Sequence, residues 1–210
     1  MRRLLALTLA LGAAHFSAMA AEGTGWGLRP FIGAGYTWGG DTMQAWDIVP
    51  VDGSGSYRYE EDVSAGAGLD LRVGLSYRLG TSPFTLQASV AHHIDQTHGI
   101  SSRAYFRRVP AEILLQWHAS EQWRLGMGVR RSLSATEKSH GGTCGGDPCP
   151  EYRLKLKSNT GVVIEAEYMA TPNWGIKARY VWEEYRYKIA PDAVKYEGDH
   201  FGVMTNYYFD

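Results

Sequence analysis

Three histidines and an aspartate crowd one short stretch of the chain, His92, His93, Asp95 and His98. Imidazole and carboxylate are common ligands of transition metals, so this is the first place to look for a metal site. The stretch alternates in polarity, however, and successive side chains of an extended strand point to opposite faces. His92 and His93 then face apart and cannot share an ion, so neither a metal nor another cofactor is expected. The two cysteines, Cys144 and Cys149, stand five apart in Cys-Gly-Gly-Asp-Pro-Cys. A structural zinc wants four ligands, so two cysteines with Gly and Pro between them point to a small disulfide staple.

A second chemistry resides in charges that share one phase of the alternation. Asp70, Arg72, Glu112, Arg130, Glu165 and Arg179 fall on the polar side of their segments, as do Arg29, Arg78, Arg108, Arg124, Glu167, Lys177 and Glu183. Opposite signs lie on neighbouring segments, Glu112 beside the segment of Arg130, and Glu165 and Glu167 beside that of Lys177 and Arg179. An unpaired buried ion costs several kcal/mol, so such charges must pair or be hydrated. A salt-bridged plug is the expected arrangement, and an ion path is the alternative.

The elements that position these groups are strands. Leu69, Leu71, Val73, Leu75, Tyr77 and Leu79, with Ala65 and Ala67, occupy one phase, and Asp70, Arg72, Gly74, Ser76 and Arg78 the other. A strand puts two such sets on opposite sides of a sheet. Eight segments repeat the pattern, near 27–39, 64–79, 83–95, 104–118, 123–133, 153–169, 174–187 and 198–209. The connections between them alternate, long and polar at 40–63, 96–103, 134–152 and 188–197, and three or four residues elsewhere. Aromatic residues bracket the short turns: Tyr77 with Phe84, Trp117 with Trp123, Tyr168 with Trp174. Rings with a polar handle favour the boundary of hydrocarbon and water, so the pairs form one girdle of a membrane barrel. The expected fold is all-β, an eight-stranded antiparallel transmembrane β-barrel in an up-and-down meander. Its short turns face the periplasm and its four long loops face outward.

Residues 1–20 read as a cleaved signal peptide. Arg2 and Arg3 precede an apolar run from Leu4 to Ala14, and Ala18-Met19-Ala20 is a small-x-small cleavage site. The run is shorter than the roughly 20 residues of a spanning helix. The barrel domain is then 21–210. Without Arg2 and Arg3 the 21 basic residues become 19 against 22 acids, a balance that does not point to nucleic acid. A soluble lipocalin-type barrel would turn the same alternation inside out. The aromatics gather at strand ends, and the polar face is rich in Gly with isolated Arg and Glu; both favour a narrow polar interior in a membrane barrel.

On the signal, the eight segments, the aromatic pairs and the closing stretch Phe201-Gly202-Val203-Met204-Thr205-Asn206-Tyr207-Tyr208-Phe209, the chain resembles the small outer-membrane barrels of the OmpX/Ail type and the OmpA transmembrane domain. Members of this group usually end on an aromatic residue; here Asp210 follows Phe209. The resemblance carries no catalytic motif. A lipid A deacylase type of barrel would show His-x-Ser near the C-terminus, where this chain has His200-Phe201-Gly202, and Ser139-His140 lies in a Gly-rich loop. No enzyme is expected.

Two outward arginines break the apolar face. Arg107 lies ten residues above Trp117 and Arg131 eight above Trp123. Tilted strands climb about 2.5 Å per residue, which puts both roughly 20–25 Å above the girdle, the height of the apolar band. Guanidinium groups there are candidates for contacts with lipopolysaccharide phosphates. In the first long loop, Trp46, Tyr57 and Tyr59 are candidates for contact with a host or cell-surface ligand, and also for packing over the barrel mouth. The expected protein is a monomeric, non-enzymatic surface protein of the outer membrane. It would serve envelope integrity, adhesion or ligand binding, with outer-membrane lipids as partners. A narrow channel for ions or small solutes is the alternative, and a lipid A-modifying enzyme comes third.

Overall fold

Strict polar–apolar alternation drives the chain into strands whose two faces meet different surroundings. The computed structural model describes residues 27–48, 59–96, 102–141, 143–144, 147–148, 151–190, 192 and 194–210, with side chains for all of these except 44–48, 59–61, 102–103, 141, 143–144 and 147–148. The signal segment, Tyr57, His98 and Cys149 lie outside the described residues, and Trp46, Tyr59 and Cys144 are described in backbone alone.

The strands are β1 (Leu28–Gly39), β2 (Thr42–Ile48), β3 (Tyr59–Ser64), β4 (Gly68–Arg78), β5 (Phe84–Gln96), β6 (Ser102–His118), β7 (Trp123–Gly141), β8 (Thr143–Cys144), β9 (Asp147–Pro148), β10 (Tyr152–Ser158), β11 (Gly161–Met169), β12 (Trp174–Trp182), β13 (Glu184–Tyr187), β14 (Lys195–Glu197) and β15 (His200–Tyr208). Eight of them close a ring, β1-β4-β5-β6-β7-β11-β12-β15 and back to β1, with every neighbour antiparallel. Closure leaves no unpaired edge in lipid, where an unsatisfied backbone group costs several kcal/mol. Above the ring, β10 pairs with the upper part of β7, and β13 joins β10 to β14.

The register sets the shape. Leu28 pairs with Tyr77, and the row runs on through Leu86, Leu115, Met127, Ile164, Tyr180 and Phe201 to Trp38. It thus returns to β1 ten residues beyond its start. A shift of that size in eight strands tilts them about 40° from the barrel axis and gives a backbone radius of about 8 Å. All nine residues of the row are apolar or aromatic and face outward, so the row is one turn of a lipid-facing spiral. Inside, the polar phase is buried: Asp70, Arg72, Glu112, Arg130, Lys177 and Arg179 are each no more than 3% exposed. An apolar exterior round a polar interior is that of an outer-membrane β-barrel, not of a soluble ligand-binding barrel.

The structure departs from the sequence expectation in several places. The sixth segment, expected unbroken over 153–169, is two strands, β10 and β11, parted at residues 159–160, and the seventh, 174–187, is β12 and β13, parted at Glu183. The second barrel strand begins at Gly68, not near 64, because Gly68 takes φ +117° and bends the chain. Ala65 is consequently buried under the extracellular connections and does not join the lipid face. The fifth strand runs on to Gly141, well past 133. Its alternation slips at a bulge, where Val109 pairs with Ser134 and Pro110 with Ser132, leaving Leu133 unmatched. Pro110 has no N–H for the ladder, which favours an irregularity there. The first long connection, finally, is partly a hairpin of β2 and β3.

Candidate functional site

Two regions hold chemistry, the lumen and the outer rim. The lumen is organised around Glu112. Its carboxylate receives Arg72 at 2.6 Å from β4, Arg130 at 3.1 Å from β7 and Arg179 at 2.8 Å from β12. Arg72 also grips Asp70 at 2.9 Å, and Arg130 reaches Glu183 at 3.1 Å. One carboxylate thus gathers guanidinium groups from three directions, and two further carboxylates balance the surplus positive charge. Charge-assisted pairs of this kind are the strong hydrogen bonds of proteins, and here they cross-link the wall.

Below this layer, Lys177 meets Glu165 at 2.6 Å and Gln87 at 3.1 Å, while Gln116 donates to Glu165 at 2.8 Å. Glu165 and Arg179 are register partners across β11 and β12, yet Arg179 turns away to Glu112, and Lys177 pairs diagonally. Glu167 accepts from the Tyr208 hydroxyl at 2.7 Å and from Asn206 at 3.0 Å. Two glycines make room for these long side chains. A Cβ on Gly126 would sit 2.7 Å from Glu165 Cγ, and one on Gly175 would sit 2.5 Å from Glu167 Oε1.

Apolar clusters lie at both ends of the lumen and on its wall between them. Phe31, Met169 and Tyr208 cluster at the periplasmic end, and Leu114, Val163 and Val181 meet on the inner wall. At the extracellular end Val63 and Ala65 pack with Ala104, Phe106, Ala135, Leu156 and Tyr185. The inner end of the first long connection, at Val63 and Ala65, therefore packs into the mouth.

On the rim, Arg107 and Arg131 both face outward and are exposed. They are staggered and do not face each other across the strand pair: Arg131 is opposite Ala111, and Arg107 is opposite Thr136. Between and above them stand cations that sequence reasoning placed only loosely. Lys155 is opposite Thr136, and Lys157 is opposite Arg186, which is opposite Lys195. Arg153, Lys155 and Lys188 line a shallow outer cleft of about 360 Å³ with Leu154 and Ile189. Across the barrel, the same level carries Tyr36, Trp38, Phe201, Tyr180 and Trp182, with Tyr36 and Trp38 ring centres 5.1 Å apart and those of Tyr180 and Trp182 4.6 Å apart. The extracellular rim is thus aromatic on one side and basic on the other.

His92 faces outward and His93 inward, 0% exposed. Among the described residues no group of three or more His, Cys, Asp or Glu is placed to hold a metal. The staple expected of Cys144 and Cys149 falls outside what is described, which covers the backbone of Cys144 and nothing of Cys149.

No protein-family model matches the sequence, and no curated protein does. Several solved structures are similar in fold. Ail, the attachment invasion locus protein of Yersinia pestis, solved with the heparin analogue sucrose octasulfate, is 14% identical over 87% of this chain and 97% of its own, with a TM-score of 0.47. Neisserial surface protein A is 13% identical over 86% of this chain and 96% of its own, at 0.45. The outer-membrane protein AlkL in lipid bilayers is 16% identical over 90% and 94%, at 0.41.

Proposed function

We propose that this chain is a non-enzymatic surface protein of the outer membrane whose working parts are its outer rim and extracellular connections. In this reading the rim cations Arg107 and Arg131 hold the phosphates of lipopolysaccharide. One observation carries it: both arginines lie on strand faces whose lower positions, Ile113 and Leu115 on β6 and Met127 and Val129 on β7, are exposed and apolar. A molecule that meets the arginines sits directly on the lipid that meets those side chains, at the height of its headgroup. Lys155, Lys157 and Lys188 carry the same positive surface further out along the neighbouring wall, while Arg186 is paired with Glu184. Guanidinium pairs with phosphate in two parallel hydrogen bonds, and an ammonium serves as a point charge.

The cross-linked lumen supports the same reading, because it leaves the outside as the place of action. The connections above the mouth would offer the surface for adhesion or for a host or cell-surface ligand, with Trp46, Tyr57 and Tyr59 as candidate contacts. The protein would act as a monomer, and residues 1–20 would serve its export.

The test is thermal stability in lipopolysaccharide against plain detergent, for the wild type and for Arg107→Ala combined with Arg131→Ala. The wild type is expected to gain stability in lipopolysaccharide, and the double variant to lose most of that gain while matching the wild type in detergent. An equal gain in both proteins would sink the reading.

A further inference from the structure

At the top of the lumen a buried histidine and a buried arginine share one hydrogen bond. Arg108 Nη2 lies 2.7 Å from His93 Nε2 and 3.1 Å from the Ala67 carbonyl oxygen. Both side chains are buried, His93 at 0% and Arg108 at 1% exposure. Guanidinium has donors only, so the imidazole nitrogen that faces it must be the acceptor. His93 is therefore neutral in this arrangement, with its proton on Nδ1, the nitrogen 3.7 Å from Asp70.

We propose that His93 and Arg108 form a proton-operated latch, which holds the inner end of the first extracellular connection against the barrel at neutral pH and releases it in acid. A second proton on His93 would have to enter at Nε2. Two donors would then face each other across the 2.7 Å contact, and the guanidinium must move off. Thr37 is ready to take its place. Its hydroxyl lies 2.9 Å from His93 Nε2 and 2.7 Å from the Gly66 carbonyl oxygen, so it can accept from the imidazolium while donating to Gly66.

Arg108 is weakly held by anything else. Among the described residues it has no salt bridge to a carboxylate, and its Nε and Nη1 have no hydrogen-bond partner. Its guanidinium lies over the rings of Phe106 and Tyr185, at 5.2 and 5.8 Å from their centres. Once it leaves His93, its bond to Ala67 goes with it. The charged surroundings come from every strand round His93. Asp70 and Arg72 stand on β4, Arg108 on β6 and Arg130 on β7. His200 faces it from β15, with ring centres 5.5 Å apart. From its own strand comes Asp95, which accepts the Ser64 amide at 2.7 Å and so ties the same connection down one step further on. Glu183 is engaged by Arg130. An added proton therefore enters a layer that already holds three guanidinium groups, and the one without a carboxylate is the one that yields.

Amide hydrogen exchange of the full-length protein in lipid nanodiscs tests the latch, at about pH 7.5 and about pH 4.5, corrected for intrinsic rates. In the wild type, amides of residues 62–68 are expected to exchange about tenfold faster in acid, relative to those of β11 and β12, as two hydrogen bonds are lost. In His93→Gln the side-chain oxygen can still accept from Arg108 but cannot titrate, so the acid response should fall to what protonation of Asp95 gives through Ser64. Unchanged protection in the wild type overturns the latch, as does an equal acid response in His93→Gln. Should that variant fail to fold, the ¹⁵N shifts of the His93 ring in the wild type decide. A ring that charges over the same pH range in which exchange rises supports the latch, and a ring that stays neutral while exchange rises overturns it.

Discussion

The Glu112 carboxylate lies 2.8 Å from the Arg179 guanidinium, although their strands are three apart round the barrel wall. Together with Arg72 and Arg130 on the same carboxylate, this contact ties β4, β6, β7 and β12 together through the lumen. Removing one partner of a buried ion cluster strands the others, at a cost of about 3–5 kcal/mol. Glu112→Gln keeps the volume and removes the charge, so it should lower the free energy of unfolding by an amount of that order and the midpoint with it. An unfolding midpoint equal to that of the wild type would mean that the three guanidinium groups are balanced without Glu112.

Ion conduction is the second test. The lumen holds paired charges in its middle and apolar clusters at its ends, so refolded protein in a planar bilayer should show no discrete openings. Glu112→Gln should also stay silent, because Phe31, Met169 and Tyr208 below and the cluster round Phe106 above are untouched by the change. Discrete wild-type openings in protein shown to be folded would restore the channel reading.

At the periplasmic end the Tyr208 hydroxyl donates to Glu167 at 2.7 Å and is the partner of Gln87 at 3.2 Å. Tyr208→Phe deletes one oxygen and keeps the ring contact with Phe31. A buried hydrogen bond to a charged group contributes about 1.5–3 kcal/mol. A loss in that range is expected from denaturant unfolding, whereas a change under about 0.5 kcal/mol would show that Asn206 and Arg124 suffice for Glu167.

Alkali should loosen the extracellular lip before the barrel. Tyr152 donates to Glu137 at 3.0 Å and Tyr187 does so at 2.6 Å, both on the strands above the membrane. Burial first, then the neighbouring Glu137 carboxylate, raises both phenols above their ordinary value. A raised folded value means the contribution is complete below the unfolded phenol's pKa of about 10 and is lost as pH climbs from there towards the folded values. Exchange of amides in β10 and β13 should therefore accelerate above about pH 10, and Tyr187→Phe should weaken that dependence. A lip whose protection is flat through that range would refute the coupling to Glu137.

A surface pair offers a contrast. Arg29 reaches Asp210 at 2.8 Å, but the Asp210 side chain is 81% exposed. Exposed pairs contribute about 0–1 kcal/mol, so Asp210→Ala should shift unfolding by less than the Glu112 and Tyr208 variants do, and less in high salt than in low. A loss as large as theirs would mean that Asn173, which also donates to Asp210 at 2.8 Å, makes this end cooperative.

Alternation alone determined a good deal. It assigned Leu69, Leu71, Val73 and Leu75 to lipid and Asp70 and Arg72 to the interior, because the period of a strand is local and needs no knowledge of partners. The alternating lengths of the connections and the aromatics at the turns fixed the up-and-down order. What failed was whatever breaks the period. The upper half of β7 was unreadable because the bulge at Leu133 reverses the phase, and the step at residues 159–160 between β10 and β11 does the same. Pro110 was the one visible sign.

Pairing of charges needed the closed barrel. Sequence could place Glu165 and Glu167 beside Lys177 and Arg179, but not send Arg179 past them to Glu112, since that contact depends on the barrel's radius and shear. Likewise, alternation separated His93 from His92 without revealing that closure brings Arg108, Thr37 and His200 to it from three other strands. Local periodicity decides which way a side chain points; only the closed ring decides what it meets there.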